Sequence, residues 1–434
     1  MERRLRLSLP TQILMALGLA IPFGAWVGPN GTIFGVLWTE VFDYVGGLFL
    51  NALKMITVPL VFAAVASGLA SMREGSAFAR LGFKTVAFYL GTCVIAVLIG
   101  LVCVNLIRPG LINGEPAREL LTLSPLEEAT RQSMEGRGMA EVAMILHRAV
   151  PENVLAAASD NRALLSLILF SVLFGYFLSR AEGPNAGVVR QFIAGLFEVM
   201  MLLTTWIMKF LPVGAFALVA KVAATTGWEA IAPMAMFFFT VLAALGLHSF
   251  VVIPFILWRL GGVSPLAHYR AVGPALLTAF FTSSSSATLP TTLSCLENRA
   301  GVSKEVTHFV VPLGATVNMN GTALYECVAV LFLAQAYGLE LTIGVQVATV
   351  LLAVATSIGV AGIPAASLVA IVIILNVIGV PASAIGVLMI TDRLLDMART
   401  MTNVLGDTAA AVVIARSEGE ATTLCGSGNE AERS

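Results

Sequence analysis

Asp392, Asp396, Arg399, Thr400, Asn403 and Asp407 recur at steps of three and four within DRLLDMARTMTNVLGD, inside an otherwise apolar segment. At roughly 100° per residue they fall within about a quarter-turn of one helical face. Three carboxylates, a guanidinium and a carboxamide thus share a stripe. Each charge at bilayer depth costs at least about 2.5 kcal/mol, so the stripe must face a water-filled or ligand-filled interior. A structural ion-pair cluster is the plainer alternative. Within the stripe, Arg399 offers a fork that matches a carboxylate. Asp396, one turn earlier, can accept from an ammonium. Together they make a receptor for a zwitterion with a spare side-chain carboxylate. Asp392 or Asp396 could equally neutralise Arg399, and Asp392 could orient it.

Two further motifs add to this chemistry. Asn318-Met319-Asn320-Gly321-Thr322 sits in mid-span, where polar residues beside a glycine favour local unwinding. Unwound carbonyls suit a hard cation such as sodium. Alone the motif could serve interhelical hydrogen bonds, worth about 0.6 kcal/mol on average; Asn403 and Asp407 nearby favour cation binding. The run Thr282 to Ser286 lies between AVGPALLTAFF and ATLPTTL, so it reads as a hairpin tip rather than a linker. Its hydroxyls and freed N–H groups offer donors to a carboxylate.

Composition sets the class. Of 434 residues, 58% are hydrophobic and 12% charged, against about 25% charged in soluble domains. The chain reads as an all-α polytopic membrane protein in contact with lipid. The net charge of −1 points to no partner, and no basic patch suits nucleic acid. Cys93, Cys103, Cys295, Cys327 and Cys425 are odd in number and imply no disulfide framework. His147, His248, His268 and His308 show no ligand spacing, and no nucleophile–base motif appears, which argues against an enzyme.

Apolar runs of spanning length occur near 11–28, 44–71, 83–107, 161–180, 191–221 and 231–259. The first resembles a signal peptide in its basic start, but it is long and lacks a small-x-small cleavage site. Residues 109–160 read as an extracellular loop, because Arg and Lys concentrate in alternate gaps and at the N-terminus. Both termini are then cytoplasmic. After residue 260 the spans are interrupted. Residues 271–297 and 340–380 each carry a Ser-, Gly-, Ala- and Pro-rich centre between apolar arms too short to span, the pattern of a re-entrant hairpin. Each is followed by a helix with a buried polar motif. Paired interrupted segments entering from opposite sides predict inverted repeats around a midplane transport site. A channel is the alternative class, but no ring of charge or pore motif is visible.

TAFFTSSSSATLP, VPLGATVNMNGTALYE, GVAGIPAASLV and LLDMARTMTNVLGD, with KMITVPLVFAAVASGLASM at 54–72, resemble the glutamate transporter family of dicarboxylate/amino acid:cation symporters. The resemblance covers most of the chain. It implies eight transmembrane helices plus two re-entrant hairpins, a homotrimer in the plasma or inner membrane, and an elevator-type movement. Scaffold helices would come from 1–71 and 161–222. The transport domain would comprise 72–108 and 223–416, and 417–434 would be a disordered cytoplasmic tail.

The resemblance places substrate at Ser283, Ser284 and Ser285, Thr322, and the second tip Ile363, Pro364, Ala365, Ala366 and Ser367. Asp396 would take the amino group, Arg399 the side-chain carboxylate, and Thr400 and Asn403 the other polar groups. One sodium site would use Gly314, Asn318, Asn403 and Asp407. A second would use Thr316, Ser357, Ile358 and Val360. A third would draw on Tyr89, Thr92, Cys93, Asn318 and Asn320, with Met319 in the same segment. Relatives with three sodium sites have an aspartate at Asn320 and a hydroxyl at Cys93. Losing a charge and a hard oxygen ligand weakens sodium binding, so the third site is expected not to hold it. The extra arginine that relatives carry is replaced by Ser283 and Met397. Glu326 matches a protonatable glutamate of animal carriers, and a buried carboxyl can carry a proton. The expected function is import of L-glutamate or L-aspartate coupled to sodium, protons or both. A neutral amino acid or C4-dicarboxylate carrier is the alternative within the family. Arg399 argues against neutral substrates and Asp396 against plain dicarboxylates.

Overall fold

The computed structural model describes residues 9–70, 76–124, 150–159, 164–225, 231–339, 341–359 and 367–424. It is mostly helical. The only sheets among the described residues are two short hairpins, β1 (Thr32–Ile33) with β2 (Val36–Leu37) and β3 (Leu111–Ile112) with β4 (Glu115–Pro116). The helices are α1 (Leu9–Val27), α2 (Trp38–Ala70), α3 (Ser76–Ile107), α4 (Val154–Ser159), α5 (Leu164–Arg180), α6 (Pro184–Met208) and α7 (Leu211–Thr225). α8 (Ile231–Leu247) runs on to Gly261 through the π-turns His248–Val252 and Leu257–Gly261. Then come α9 (Pro265–Thr282), α10 (Ser285–Cys295), α11 (Lys304–Val317), α12 (Asn320–Ala336), α13 (Ile343–Gly359), α14 (Ser367–Ile378) and α15 (Ile385–Ser417).

Three stretches among the described residues are long and apolar enough to cross a membrane: Arg80–Ile107, Ala232–Gly261 and Lys304–Ala336. These suit a membrane protein, and the other apolar runs read from the sequence coincide with α1, α2, α5, α6 and α7. The run expected over 191–221 is two helices, α6 and α7, broken at Lys209 and Phe210. Pro212 explains the restart, since proline suits a first turn but not a helix interior. Of the polar stretch 109–160, residues 125–149 and 160 lie outside the described residues.

The interrupted segments take definite shape. α9 and α10, of 18 and 11 residues, pack against each other across Ser283 and Ser284. Ser283 has a left-handed backbone (φ 51°) and Ser284 an extended one (φ −145°), and the Ser284 hydroxyl caps α10 through Ala287 N at 3.2 Å. α13 and α14, of 17 and 12 residues, also pack together. Their connection, which holds Val360, Ile363, Pro364, Ala365 and Ala366, lies outside the described residues.

α11 and α12 are one spanning stretch broken at Asn318 (φ −86°, ψ 81°) and Met319 (φ −108°, ψ 45°). This is the expected unwinding. α12 is buried on nearly every side, as a helix apolar all round must be. It packs on α3, α8, α13, α14 and α15. Two apolar clusters flank the centre. One joins α1, α7, α8, α12, α14 and the start of α15; the other joins α9, α10, α11 and the far half of α15. The polar stripe of α15 lies between them.

Of the tail expected to be loose over 417–434, residues 418–424 are bonded, and 425–434 lie outside the described residues. Glu418 meets Arg80 at 2.5 Å and Lys84 at 2.6 Å. Glu420 accepts from Ser303 N and Oγ, and Thr423 Oγ1 donates to Arg299 O at 2.7 Å. The signal was the two cations of α3, which only the tertiary arrangement brings to the end of α15.

Candidate functional site

All six polar residues of the α15 stripe are buried. Arg399, 1% exposed, is the largest fully buried side chain among the described residues. Its Nη2 donates to Asp396 Oδ1 at 2.7 Å and to Asp392 Oδ1 at 3.2 Å. Its Nη1 donates to Ser367 Oγ, at the first residue of α14. Its guanidinium carbon lies 4.0 Å from the centroid of the Tyr325 ring, a cation–π contact from α12. The guanidinium is thus fixed by three elements. Arg393, also buried, places Nη1 3.6 Å from Asp396 Oδ2. Two arginines and two aspartates therefore cancel in formal charge.

One turn further along, Asn403 ties α15 to the α11–α12 break. Its Oδ1 accepts from Gly321 N at 2.8 Å, and its Nδ2 donates to Thr322 Oγ1 at 3.0 Å and approaches Met319 Sδ at 3.3 Å. Thr322 also donates to Met319 Sδ at 3.8 Å. Met319 thus presents sulfur to polar neighbours, and sulfur is a poor ligand for a hard cation. Thr400 is buried on the same stripe.

Asp407 lies beyond. Asn318 Nδ2 donates to Asp407 Oδ1 at 2.8 Å and to Asn403 O at 3.1 Å. Two glycines permit this approach. A Cβ on Gly314 would collide with the Asp407 carboxylate and the Tyr89 hydroxyl, and one on Gly406 would collide with the Asn318 amide. Tyr89 donates to Val310 O at 2.9 Å. Asn320 Nδ2 donates to Thr92 Oγ1 at 3.2 Å and lies 3.5 Å from His248 Nε2. Cys93 Sγ lies 3.9 Å from Ser357 Oγ. Thr316 closes α11 with a bond to Leu313 O at 2.9 Å. α13, which carries Ser357 and Ile358, packs on α11.

Two features make this region suit a hard cation. The amide oxygens of Asn318 and Asn320 are buried without a hydrogen-bond partner. Asp407 is a buried carboxylate that has no ion-pair partner among the described residues. A buried charge in that position must be met by a cation or a proton. Glu326 repeats the pattern on α12. Its Oε2 accepts from Thr356 Oγ1 at 2.9 Å and its Oε1 has no hydrogen-bond partner.

At the serine turn, Ser283 and Ser285 are buried and the Ser283 hydroxyl has no hydrogen-bond partner. Both α9 and α10 pack on α15. Sequence reasoning passed over Arg393, Tyr325 and Thr356, and gave His248 no role. Tyr325 carries a usable signal, since it lies one turn from Thr322. Arg393 does not, because it sits off the stripe, directly after Asp392.

Residues 9–417 match the model of the sodium:dicarboxylate symporter family. A proton/sodium-glutamate symport protein of Geobacillus stearothermophilus is 31% identical over 415 residues, 96% of each chain. A proton/glutamate-aspartate symporter of Escherichia coli K12 is 31% identical over 417 residues, 96% of this chain and 94% of that one. Excitatory amino acid transporter 3 of Mus musculus is 33% identical over 405 residues, 84% and 77% of the two chains. With a single family model spanning nearly every described helix and relatives matched almost end to end, this chain belongs to the sodium:dicarboxylate symporter family.

Proposed function

We propose that this protein is a secondary active symporter importing an acidic amino acid, L-glutamate or L-aspartate, coupled to sodium, protons or both. The observation that carries this reading is Arg399 with Asp396: a buried guanidinium and a buried carboxylate on one helix face, 2.7 Å apart. An acidic amino acid exchanges that pair for two new ones, its side-chain carboxylate on Arg399 and its ammonium on Asp396. Asn403, Thr322, Thr400 and the serine turn at Ser283, Ser284 and Ser285 complete the polar wall. Ser367 already reaches Arg399; the rest of the second tip, Ile363 to Ala366, is assigned to the substrate by the family resemblance alone. The names of the relatives, which include glutamate and glutamate-aspartate symporters, agree with this substrate class.

Asp407 and Glu326 supply the coupling. Sodium would be held by the carbonyl oxygens at the α11 end, including Gly314 and Asn318, with Asn403 and Asp407. A second ion would lie by Thr316, Ser357, Ile358 and Val360. The set Tyr89, Thr92, Cys93 and Asn320 offers two hydroxyls, one amide and a sulfur where a third sodium would want hard charged oxygen. A proton on Glu326 takes that third place. α9–α10 and α13–α14 act as re-entrant hairpins in inverted repeats, and the α3 and 223–416 elements move as a transport domain against scaffold helices 1–71 and 161–222 in an elevator-type mechanism. The assembly is a homotrimer in the plasma or inner membrane with cytoplasmic termini.

The test is uptake of radiolabelled L-aspartate and L-glutamate by purified protein in liposomes, with sodium and proton gradients imposed separately. Uptake against a concentration gradient under either one is expected. Absence of uptake of both acids under every gradient overturns the assignment of Arg399.

A further inference from the structure

We propose that Arg393 sets substrate discrimination by acting as a built-in counter-ion of Asp396, in competition with the ammonium of the substrate. This rests on the acidic-amino-acid reading above. Arg393 is 5% exposed and its Nε and Nη1 have no hydrogen-bond partner. The cleft beside it is walled by the apolar Ile13 and Leu17 of α1 and Leu211 and Ala215 of α7, and its carboxylates are Asp392 and Asp396 of the same helix. Its charge is met by Asp396 Oδ2 at 3.6 Å, an ion pair too long for a hydrogen bond. Asp396 Oδ1 is held by Arg399 at 2.7 Å.

Asp396 is therefore shared by two guanidinium groups before any substrate arrives. When a carboxylate draws Arg399 away, one oxygen of Asp396 is released while Arg393 stays beside the other. An ammonium entering there meets the carboxylate that attracts it and a fixed cation that repels it. A dicarboxylate without an amino group meets the reverse. It brings no cation for Asp396, and Arg393 is already in place to prevent a bare buried carboxylate. Aspartate and succinate differ by that ammonium alone, so the charge of Arg393 acts on the two with opposite bias. Removing it must widen the preference for the amino acid, whatever it does to both affinities together.

The experiment uses the full-length protein in proteoliposomes. Unlabelled L-aspartate and succinate compete against labelled L-aspartate uptake in the native protein, Arg393→Gln, Arg393→Met and Arg393→Lys. The ratio of the succinate to the L-aspartate half-inhibitory concentration is the readout. We expect it to rise at least about tenfold in the Gln and Met variants and to return toward the native value in the Lys variant. Met suits the apolar wall and guards against a failure of Gln to fold. A ratio within about twofold of native in either neutral variant, a small change on the tenfold scale, overturns the proposal. So does a Lys variant that behaves like Gln, or loss of binding of both ligands in both neutral variants, which would make Arg393 structural. Failure of the native protein to take up L-aspartate at all would instead strike the underlying substrate reading.

Discussion

Replacing Arg399 with Gln tests whether the four-charge cluster is a balanced unit. Asp392, Asp396, Arg393 and Arg399 cancel, and all four are at most 7% exposed. The variant leaves one carboxylate in excess in a buried site and removes the Tyr325 contact. Breaking a buried pair from one side costs about 3–5 kcal/mol. A typical unfolding entropy of about 2.1 cal/mol/K per residue, applied to 434 residues, lowers the unfolding midpoint by about 3–5 °C. Adding Asp392→Asn to the same chain removes the excess charge and leaves Arg393 paired with Asp396. It should restore at least about 2 kcal/mol, a coupling expected of contacting residues. The assay is thermal unfolding of purified protein in detergent, followed by tryptophan fluorescence. A midpoint unchanged to within about 1 °C in Arg399→Gln, or a double variant less stable than the single, refutes the reasoning.

Three further outcomes follow from the same geometry. Gly314→Ala forces a methyl into the Asp407 carboxylate and Tyr89 hydroxyl; overpacking of about 1–3 kcal/mol should raise the sodium concentration for half-maximal uptake roughly 5- to 150-fold, with an unchanged value contradicting the site. Glu326→Gln keeps the Thr356 contact but cannot exchange a proton, so uptake should lose its pH dependence; a retained dependence would remove Glu326 from coupling. Lys84 and Arg80 hold the Glu418 carboxyl below the usual glutamate range. The stability it adds is therefore present above the ordinary glutamate value and lost as pH falls through its depressed folded value. Arg80 is largely exposed, so Glu418→Gln should cost no more than about 1 kcal/mol at neutral pH, and melting curves should converge with native at strongly acid pH. A gap that persists there would assign the effect to packing.

Periodicity made much of this site legible. The stripe from Asp392 to Asp407 is fixed by helical spacing, and its burial follows from the apolar residues around it. The serine turn and the break at Asn318 and Met319 were legible because small and polar residues interrupt apolar arms. Contacts between elements were not. Nothing local to Tyr325 says that its ring lies on Arg399, and nothing local to Thr356 says that it reaches Glu326. Arg393 was passed over because spacing puts it beside the stripe, and only packing shows that it shares Asp396. The split of α6 from α7 was signalled by Pro212 but hidden in a continuous apolar run. The bonding of 418–424 depends on partners more than a hundred residues away.

The most direct test of the account is calorimetric titration of purified protein in sodium buffer with L-aspartate, L-glutamate and L-alanine, repeated on Arg399→Gln. The account predicts saturable binding of an acidic amino acid to the native protein, none of L-alanine, and loss of the acidic ligand in the variant. Equal binding of L-alanine and the acidic amino acids, or acidic binding retained in Arg399→Gln, would contradict it.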